Sequence, residues 1–550
     1  MKGMKKIPIG TKSFSRLIEG NYYLVDKTLM IKEFLDRGSD VTLITRPRRF
    51  GKTINMSMMV EFFDITKDSK EIFKDTKIMK TPYVKEINQY PTIFLSFADA
   101  KESKMTVAHF IKNQIQKEYE KYMFVFQKLS IFDQNDYDSI INGILHKNNG
   151  TLEDVNNSII FLMKKLKEYY GKDVMIFIDE YDTPFIEARV GGFYSEIKGG
   201  LATLLRSSLK NSNDLKYAML TGIQRVAKEN IFSDLNNLVV YTVKDKEYSE
   251  YFGFGIEETK ELLEYYHIEL DDKVKEMYDG YKIGNTEIYN PWSILNYTNT
   301  RQLIPYWVNT SANTMIKQAI KKSKYDFKEQ YEKLLRNNCL ETTVALQTSF
   351  YEVENTPSLW GLFVNAGYLT IDEVLDAIDS YYRIRIPNKE VSTEFRSLTE
   401  DYLSLNEGQL NQLARCLIKE QLDEFQKEYR NILMLPSYHD LTNENSYHMM
   451  MLGMCICLSG QYKVISNREE GKGRCDLVIQ AKDEKQTSFV LEFKYLKEDK
   501  NNIKEELERL SDDAIRQIRE RNYDFELKGK VIYIGLAHHG KDVIMKWTER

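Results

Sequence analysis

The segment from 41 to 63 constrains the fold of this chain more than any other. An apolar run at 41–44 leads into ITRPRRFGKT at 44–53, and a helical pattern of apolar residues continues to Phe63. A strand, a tight loop containing Gly-Lys-Thr and then a helix form the context in which this short pattern predicts a phosphate-binding loop. Free backbone N–H groups at the start of such a helix attract anions. The segment therefore predicts an anion site at one edge of an α/β sheet.

The loop side chains predict how a nucleotide would be held. Lys52 is a point charge for the terminal phosphates, the Thr53 hydroxyl is a Mg²⁺ ligand, and Gly51 lets the backbone approach the phosphates. The usual pattern, G-x-x-x-x-G-K-[ST], has glycine where this chain has Arg46. We expect Arg46 and Arg49 to add positive charge around the phosphates. The alternative is a charged turn that only resembles a phosphate-binding loop.

A second motif lies at 174–180, VMIFIDE. Five apolar residues before two acids are typical of a buried parallel strand that delivers carboxylates to the ligand edge of the sheet. Asp179 would hold Mg²⁺, and Glu180 would orient and deprotonate the attacking water. Such a strand is common by chance and becomes specific only together with the Gly-Lys-Thr loop. A strand candidate at 91–97, between the two motifs in the sequence, favours a P-loop NTPase with an inserted strand.

A further strand at 215–222 carries Thr221 near its end, where a polar group can sense the γ-phosphate. Arg225 follows in the next loop and could stabilise transition-state charge, although a surface arginine is the simpler interpretation. The guanine-reading pattern N-K-x-D is absent from the sequence. The expected cofactors are therefore ATP and Mg²⁺.

Composition limits the cellular setting. The net charge is −5, so any nucleic-acid binding must come from local patches. The five cysteines are scattered and odd in number, which favours a reducing compartment over a disulfide framework or a zinc site. No apolar stretch follows the N-terminus as a signal peptide would require, and the longest apolar run, 449–458, is too short to span a bilayer. We expect a cytoplasmic protein that does not enter a membrane.

The 550 residues are too many for one core and suggest three or four domains. We predict a P-loop domain over 1–250, a mostly helical middle region over 251–395, a helical connector over 396–435 and a small α/β domain over 436–550. The middle region is rich in aromatic residues, for example at 289–293. Aromatic residues at this density are more often core than site.

The C-terminal part predicts a second site. Strand candidates at 473–480 and 489–495 are separated by a turn of hairpin length, which would bring Asp476 beside Glu492 and Lys494. Because side chains alternate along a strand, Glu492 and Lys494 share one face. Two carboxylates and a lysine suit a Mg²⁺-dependent phosphodiesterase.

Residues near this hairpin affect which side chains we expect to bind the metal ion. Glu444, at the start of the preceding helix, could add a third carboxylate to Asp476 and Glu492. Glu-x-Lys recurs elsewhere in the chain, so only the hairpin context sets this pair apart, and a solvated salt bridge is the alternative. Gln517, in the helix that follows, is better explained as a surface glutamine than as a nucleotide contact.

These segments together resemble a known two-part family. The loop RPRRFGKT at 46–53, with YLVDKT at 23–28 and IDEYD at 178–182, is similar to the bacterial AAA-ATPase-like domain, for which arginine at position 46 is usual. GRCD at 473–476 and EFK at 492–494 resemble the PD-(D/E)XK nuclease domain that accompanies it, in a restriction-endonuclease-like α/β fold. The resemblance implies an ATPase coupled to a nuclease.

Two functions are compatible with these patterns. The first is an ATP-driven or ATP-gated nuclease, with nucleic acid, most simply DNA, as its partner. The second is a nucleotide-dependent switch or scaffold whose C-terminal domain binds nucleic acid or protein without cleavage. Low overall basicity favours the second, and the complete Asp476, Glu492 and Lys494 set favours the first. An arginine acting in trans would also require a homo-oligomer.

Overall fold

A computed structural model describes most of the chain, and its residues form two compact units. One unit consists of Met1–Ile316 with Glu341–Asn388, and the other of Lys317–Leu340 with Lys389–Arg550. The boundaries at 250, 395 and 435 stay predictions. The described residues are 3–210, 212–225, 235–307, 316–317, 319–320, 325–347, 355–402, 405–406, 408–434, 444–456, 458, 461–466, 469–470, 473–474, 476–496 and 502–550.

The first unit contains a parallel five-stranded sheet. Its strands are β1 (Val41–Thr45), β2 (Thr92–Ser96), β3 (Val174–Asp179), β4 (Leu215–Gly222) and β5 (Leu238–Tyr241). The spatial order is β2-β3-β4-β1-β5, and every pairing is parallel. All residues of β1 and β3 are buried, as expected for strands covered on both faces. The predicted α/β fold class is confirmed.

The strand that separates the two motifs in the sheet is not the one that separates them in the sequence. β2 lies at the sheet edge beside β3, whereas β4 pairs with β3 on one side and with β1 on the other. Because all five strands are parallel, their carboxyl ends meet at one edge. Thr45, Asp179 and Thr221, at or near the ends of β1, β3 and β4, therefore reach the same edge.

Helices accompany this sheet, and apolar side chains from both form a large buried cluster. The polar segment 123–150 contains one of these helices and a short 3-10 turn. The α-helices before residue 210 are Phe14–Glu19, Leu29–Arg37, Lys52–Phe63, Lys70–Phe73, Lys104–Lys121, Ile131–Leu145, Ser158–Tyr170, Thr183–Val190 and Tyr194–Leu209. The 3-10 segments are Lys77–Lys80, Pro82–Glu86, Met123–Phe126, Glu153–Val155 and Ser249–Tyr251.

The region between 250 and 390 combines helices with two small three-stranded sheets. The strands are β6 (Phe254–Gly255), β7 (Tyr281–Ile283), β8 (Thr286–Tyr289), β9 (Cys339–Thr343), β10 (Thr370–Asp376) and β11 (Tyr381–Arg385). Their orders are β6-β8-β7 and β10-β11-β9. The helices of the first unit in this region are Ile256–Tyr265, Asp272–Tyr278, Pro291–Thr300 and Thr356–Ala366.

The second unit is built on a mixed five-stranded sheet in the order β12-β15-β16-β17-β18. β16 and β17 are parallel, and the other neighbours are antiparallel. The strands are β12 (Tyr462–Ser466), β13 (Glu469–Glu470), β14 (Gly473–Arg474), β15 (Leu477–Ala481), β16 (Ser488–Tyr495), β17 (Val531–His539) and β18 (Asp542–Glu549), of which β13 and β14 pair with each other. The helices are Tyr325–Asn337, Lys389–Tyr402, Gln409–Ile418, Leu422–Met434, Glu444–Ile456 and Ile503–Arg521.

In the described part of the chain, no helix combines the length and the apolar character needed to cross a membrane.

Candidate functional site

The loop after β1 has the backbone form of an anion site. Gly51 has a φ of 86° and caps the helix Lys52–Phe63, a conformation that glycine adopts without strain. The buried Lys52 side chain folds over the loop, and its Nζ donates to the carbonyl oxygens of Arg46 at 3.0 Å and Pro47 at 2.9 Å. Burial lowers the pKa of Lys52, while the charge of Glu180 opposes that shift. Lys52 thus lies over the loop, and its role as the cation for the terminal phosphates stays a prediction.

The structure places Arg46 away from this anion site. Its guanidinium is fully buried and donates to the carbonyl oxygens of Thr45 at 2.9 Å, Tyr241 at 3.2 Å and Glu247 at 3.2 Å. It also lies 5.4 Å from the centre of the Phe252 ring. Burial lowers the pKa of Arg46 to about 10. The expectation that Arg46 adds charge around the phosphates is therefore corrected, because its side chain connects the loop to β5 and the segment after it.

Arg49 and Phe50 fix the other side of the loop. Arg49 has a φ of 67°, its Nη1 donates to the Tyr306 carbonyl at 2.8 Å, and its guanidinium lies 4.4 Å from the Trp292 ring centre. The buried Phe50 ring packs edge-on against Tyr281, with ring centres 4.9 Å apart. Contacts of the Arg49 and Phe50 side chains thus help to hold this loop in shape, together with the left-handed Gly51.

Asp179 and Thr221 meet at the carboxyl edge of the sheet. The Thr221 hydroxyl donates to Asp179 Oδ1 at 2.7 Å, and both residues are fully buried. Burial raises the pKa of Asp179, the charge of Glu180 adds to this, and the hydroxyls of Thr221 and Thr53 oppose it. Asp179 Oδ2 is buried and accepts no hydrogen bond of acceptable geometry from the described residues. A buried oxygen of this kind is suited to a cation.

Glu180 begins the turn after β3 in a strained conformation. Its φ is 52°, in the left-handed region that a residue other than glycine rarely adopts, and such strain clusters at functional sites. The Thr183 hydroxyl donates to Glu180 Oε2 at 3.2 Å. Glu180 lines a cavity of about 370 Å³ together with Lys52 and Thr53. The predicted base and phosphate-binding residues therefore share one cavity.

Two residues that sequence reasoning did not select connect this turn to the end of β4. Asp182 Oδ2 accepts from the backbone N–H groups of Ile223 at 2.8 Å and Gln224 at 2.9 Å, and the Tyr181 hydroxyl donates to the Gln224 carbonyl at 2.7 Å. Burial raises the pKa of Asp182 to about 6, and these backbone hydrogen bonds oppose the shift. The sequence IDEYD at 178–182 contained a signal for Asp182, because this third acid closely follows Asp179 and Glu180.

Arg225 lies at the end of the described loop after β4. Its Nη1 donates to Gln347 Oε1 at 2.5 Å. Arg225 is not among the residues that line the cavity with Lys52 and Glu180. Its predicted role at the phosphates stays a prediction.

The second unit brings the C-terminal candidates together. β15 and β16 form the expected antiparallel hairpin, with Leu477 opposite Leu491. Asp476 immediately precedes β15, and its Oδ2 accepts from the backbone N–H of Phe493 at 2.8 Å. The Asp476 carboxylate therefore reaches β16 between Glu492 and Lys494.

Glu492 is buried and strongly perturbed. Burial and the charge of Asp476 raise the pKa of Glu492 to about 7, and Lys494 opposes the shift. Lys494 Nζ donates to Glu492 Oε1 at 2.9 Å. The other oxygen, Oε2, is buried and accepts no hydrogen bond of acceptable geometry from the described part of the chain. The pair is thus mostly buried, unlike the solvated salt bridge that was the alternative.

Gln517 also belongs to this site, which corrects its interpretation as a surface residue. Its Oε1 accepts from Lys494 Nζ at 2.8 Å, and its Nε2 donates to Glu492 Oε1 and to the Tyr523 hydroxyl, the latter at 3.2 Å. The small Ala514, one turn earlier, was a signal that this helix face approaches the sheet closely.

That close approach depends on Gly535 in β17. Gly535 pairs with Glu492, and a Cβ atom on it would lie 2.3 Å from the Ser511 carbonyl oxygen and 3.1 Å from Ala514 Cβ. The helix Ile503–Arg521 therefore packs on the sheet face that carries Glu492 and Lys494. This packing brings Gln517 within reach of both.

Only some of the candidate metal ligands of the second unit belong to the described residues. Glu444 begins the helix Glu444–Ile456, but its side chain lies outside the described residues. Among the residues that are described, no group of three or more His, Cys, Asp or Glu side chains could hold a metal ion. Asp476 and Glu492 are thus the candidate ligands that can be placed.

Comparisons with known proteins agree with both halves. Residues 8–232 match the AAA-ATPase_like family, described as "Predicted AAA-ATPase", and residues 442–548 match the PD-(D/E)XK nuclease superfamily. A protein of Azotobacter chroococcum mcd 1, named "Uncharacterized protein in vnfD 5'region", is 27% identical over 398 residues, covering 70% of this chain and 68% of that protein. Two parts of the chain thus match, in order, an AAA-ATPase-like domain and a domain of the PD-(D/E)XK nuclease superfamily.

Proposed function

We propose that the first unit binds and hydrolyses ATP and that the second cleaves nucleic acid, most simply DNA, in a Mg²⁺-dependent reaction. The observation that carries the first half is the cavity that Lys52, Thr53 and Glu180 share, beside the hydrogen-bonded Asp179 and Thr221. These residues come from three different segments of the chain. Their convergence supports a nucleotide site better than a charged turn.

The protein groups divide the work of ATP hydrolysis. Lys52 and the N–H groups at the start of its helix bind the phosphates. Glu180 orients a water molecule and accepts its proton as the water oxygen attacks the γ-phosphorus and the bond to the β-phosphate oxygen breaks. Thr221, whose hydroxyl donates to Asp179, would respond to the γ-phosphate.

The carboxylates present fit Mg²⁺ at both sites. Asp179 Oδ2 and Glu492 Oε2 are buried oxygens without a hydrogen bond of acceptable geometry among the described residues, and oxygen is the ligand that Mg²⁺ prefers. Thr53 and Asp179 would hold the ion at the first site, and Asp476 and Glu492 at the second, with Glu444 as a further candidate. When bound, Mg²⁺ neutralises phosphate charge and, at the second site, lowers the pKa of a ligated water.

The second half is supported by the placement of Lys494. Its Nζ donates to Glu492 Oε1 at 2.9 Å and to Gln517 Oε1 at 2.8 Å, so it is oriented beside the carboxylates. From there it can orient the attacking water and stabilise the negative charge that develops on the scissile phosphate. Gln517 holds both side chains in that arrangement.

Single substitutions test the ATPase. Lys52→Ala should abolish ATP binding and turnover, because the positively charged side chain that would bind the phosphates is lost. Glu180→Gln should lower turnover by at least about a hundredfold while retaining ATP, because only the proton acceptor is lost. Steady-state phosphate release and equilibrium ATP binding measure the two effects. Unchanged turnover in either variant would refute the ATPase assignment.

The nuclease test also distinguishes a nuclease from the alternative, a switch that binds nucleic acid without cleaving it. Plasmid DNA and single-stranded DNA are incubated with Mg²⁺ or Mn²⁺, with and without ATP, and with wild type or Glu492→Ala. Cleavage by wild type alone supports the nuclease. DNA that stays equally intact with both proteins, but is retained by them in a gel-shift assay, supports the switch.

An arginine that acts in trans would require a homo-oligomer, and this assembly stays a prediction. Arg225 is on a loop and contacts Gln347 of the same chain. Light scattering with and without ATP measures whether copies assemble.

A further inference from the structure

The cavity at the Gly-Lys-Thr loop has two chemically different sides. Lys52, Thr53 and Glu180 are among its lining residues, and the phosphates would bind beside them. Another part of the lining, here called the apolar side, consists of apolar and aromatic side chains from other segments, namely Tyr23, Val25, Phe254, Leu262, Trp292 and Leu295. A ligand that fills such a cavity has an anionic end and an apolar end.

The apolar side is backed by packed core, so its shape is largely preformed. Phe254, Leu262 and Leu295 belong to one buried hydrophobic cluster, and Tyr23 and Val25 pack against that cluster. Ligand sites are usually preformed concave surfaces of several hundred Å³ lined by apolar side chains with a few polar groups. The volume of about 370 Å³ is in that range.

Trp292 is held rigidly at the edge of this surface. Its indole Nε1 donates to the Tyr306 carbonyl oxygen at 2.9 Å, and the same oxygen accepts from Arg49 at 2.8 Å. The Arg49 guanidinium lies 4.4 Å from the centre of the Trp292 ring. A side chain fixed before binding loses little conformational entropy when a ligand stacks on it. The aromatic residues at 289–293 were expected to be core, but Trp292 is only partly buried.

We propose that Trp292 and this apolar wall form the subsite for the purine base of the nucleotide whose phosphates occupy the loop. The inference rests on the proposed function, because it takes the phosphate end as given. A base has a flat apolar face and is joined to phosphate through a sugar, so one nucleotide matches both sides of the cavity. A purine offers a larger stacking area than a pyrimidine and is therefore the better match.

The experiment measures binding by the full chain with Mg²⁺ present, using isothermal titration calorimetry. The probes are ADP, CDP and inorganic tripolyphosphate, and the proteins are wild type, Trp292→Ala and Trp292→Phe. Because stacking on an aromatic side chain is worth about 1–3 kcal/mol per base, Trp292→Ala should weaken ADP binding by about fivefold to 150-fold. Trp292→Phe should retain most of the affinity, and neither change should affect tripolyphosphate. ADP should bind more tightly than CDP to wild type.

The outcomes separate this subsite from the proposed function. If wild type binds neither ADP nor tripolyphosphate, the proposed function itself fails and the subsite fails with it. If wild type binds both but Trp292→Ala binds ADP as tightly as wild type does, only the subsite is refuted. Equal affinity for ADP and CDP likewise refutes the preference for a purine.

Fluorescence provides a second measurement that does not depend on the alanine variant folding well. The chain has four tryptophans, and Trp292 is the one that lines the cavity. ADP should therefore change the tryptophan emission of wild type and of Trp547→Phe, which alters a residue of β18 in the other unit. It should leave the emission of Trp292→Phe nearly unchanged. A change that persists in Trp292→Phe contradicts the proposal.

Discussion

The Asp182 carboxylate accepts a hydrogen bond from the backbone N–H of Gln224 at 2.9 Å and so connects the turn after β3 to the loop after β4. The turn carries Glu180, and β4 carries Thr221. Because the contact lies at the carboxyl edge of the sheet, it fixes the position of the proposed base relative to Thr221, the proposed sensor of the γ-phosphate.

Replacing Asp182 should separate catalysis from binding. We expect Asp182→Asn to lower ATP turnover by about tenfold to a hundredfold, because small misplacements of a catalytic group are costly, while ATP affinity stays within about twofold. Asp182→Ala should also lose about 1–3 kcal/mol of unfolding free energy, because two backbone donors lose their acceptor. Phosphate-release kinetics and thermal melts check both effects. The control is Asp173→Asn, a surface carboxylate paired with Lys167; equal losses in both variants would contradict a positioning role.

Arg46 should behave as a structural residue. Arg46→Gly restores the glycine of the usual loop pattern, yet we expect it to destabilise the protein by about 2–4 kcal/mol, because three carbonyl oxygens lose a buried donor. Chemical denaturation measures this. Arg383→Ala is the control, since its ion pairs with Glu341 and Glu373 are exposed and such pairs contribute little. A folded, equally stable Arg46→Gly with weaker ATP binding would instead favour a phosphate contact.

Gly535 should be intolerant of a methyl group. Gly535→Ala is expected to cost about 1–3 kcal/mol and to reduce DNA cleavage, because the added atom would force the helix Ile503–Arg521 away from the sheet and move Gln517 with it. Gly199→Ala is the contrast, because it sits in a helix with open space around it and should gain up to about 1 kcal/mol. Denaturant midpoints and plasmid cleavage are the measurements. Wild-type cleavage by Gly535→Ala would show that the helix position does not matter.

Gln517 is expected to act through the residues that it holds. Gln517→Ala should lower DNA cleavage or Mn²⁺ affinity by about tenfold to a hundredfold, the usual effect of losing a partner that orients a metal ligand. The thermal stability of this variant should change little, because Gln517 is only partly buried. The neighbouring Arg516→Ala alters an exposed side chain on the same helix and should match wild type. Calorimetric Mn²⁺ binding without DNA distinguishes this positioning role from a direct contact with DNA.

His538 should make the second unit sensitive to acid. It is buried and lies 2.8 Å from the Tyr429 hydroxyl, and its ring stacks on Tyr447 with centres 4.1 Å apart. Burial lowers the pKa of His538 to about 3, below about 6.5 in an unfolded chain, while a hydrogen bond with the Lys494 backbone opposes the shift. The folded state therefore prefers the neutral ring. This contribution is complete above about pH 6.5 and is lost as the pH falls toward 3.

Lowering the pH from about 7.5 to about 5 should therefore reduce the free energy of unfolding by about 2 kcal/mol through His538. His538→Gln should remove that part of the pH dependence even if it lowers stability at neutral pH. Denaturation at several pH values measures the slope, and the exposed His267→Gln is the control. An unchanged slope in His538→Gln would contradict this origin of the acid sensitivity.

Local sequence patterns predicted much of the fold and of the candidate sites. The apolar runs before Thr45 and Asp179 predicted buried parallel strands, because both faces of such strands are covered. The spacing within β16 predicted that Glu492 and Lys494 share a face, because side chains alternate along any strand. These inferences depend on chain geometry within a few residues, which one segment determines by itself.

Only the tertiary structure decided what depends on packing between distant segments. The Arg46 side chain points toward Tyr241 and Glu247, about 200 residues later in the sequence. Its guanidinium therefore donates to backbone carbonyl groups instead of binding phosphate. Gln517 became part of the C-terminal site because Gly535 admits its helix close to the sheet. The sequence by itself determined which residues carry the charges and carboxyl groups. The three-dimensional packing decided where those side chains point, because a buried polar group must find its partner wherever the fold provides one.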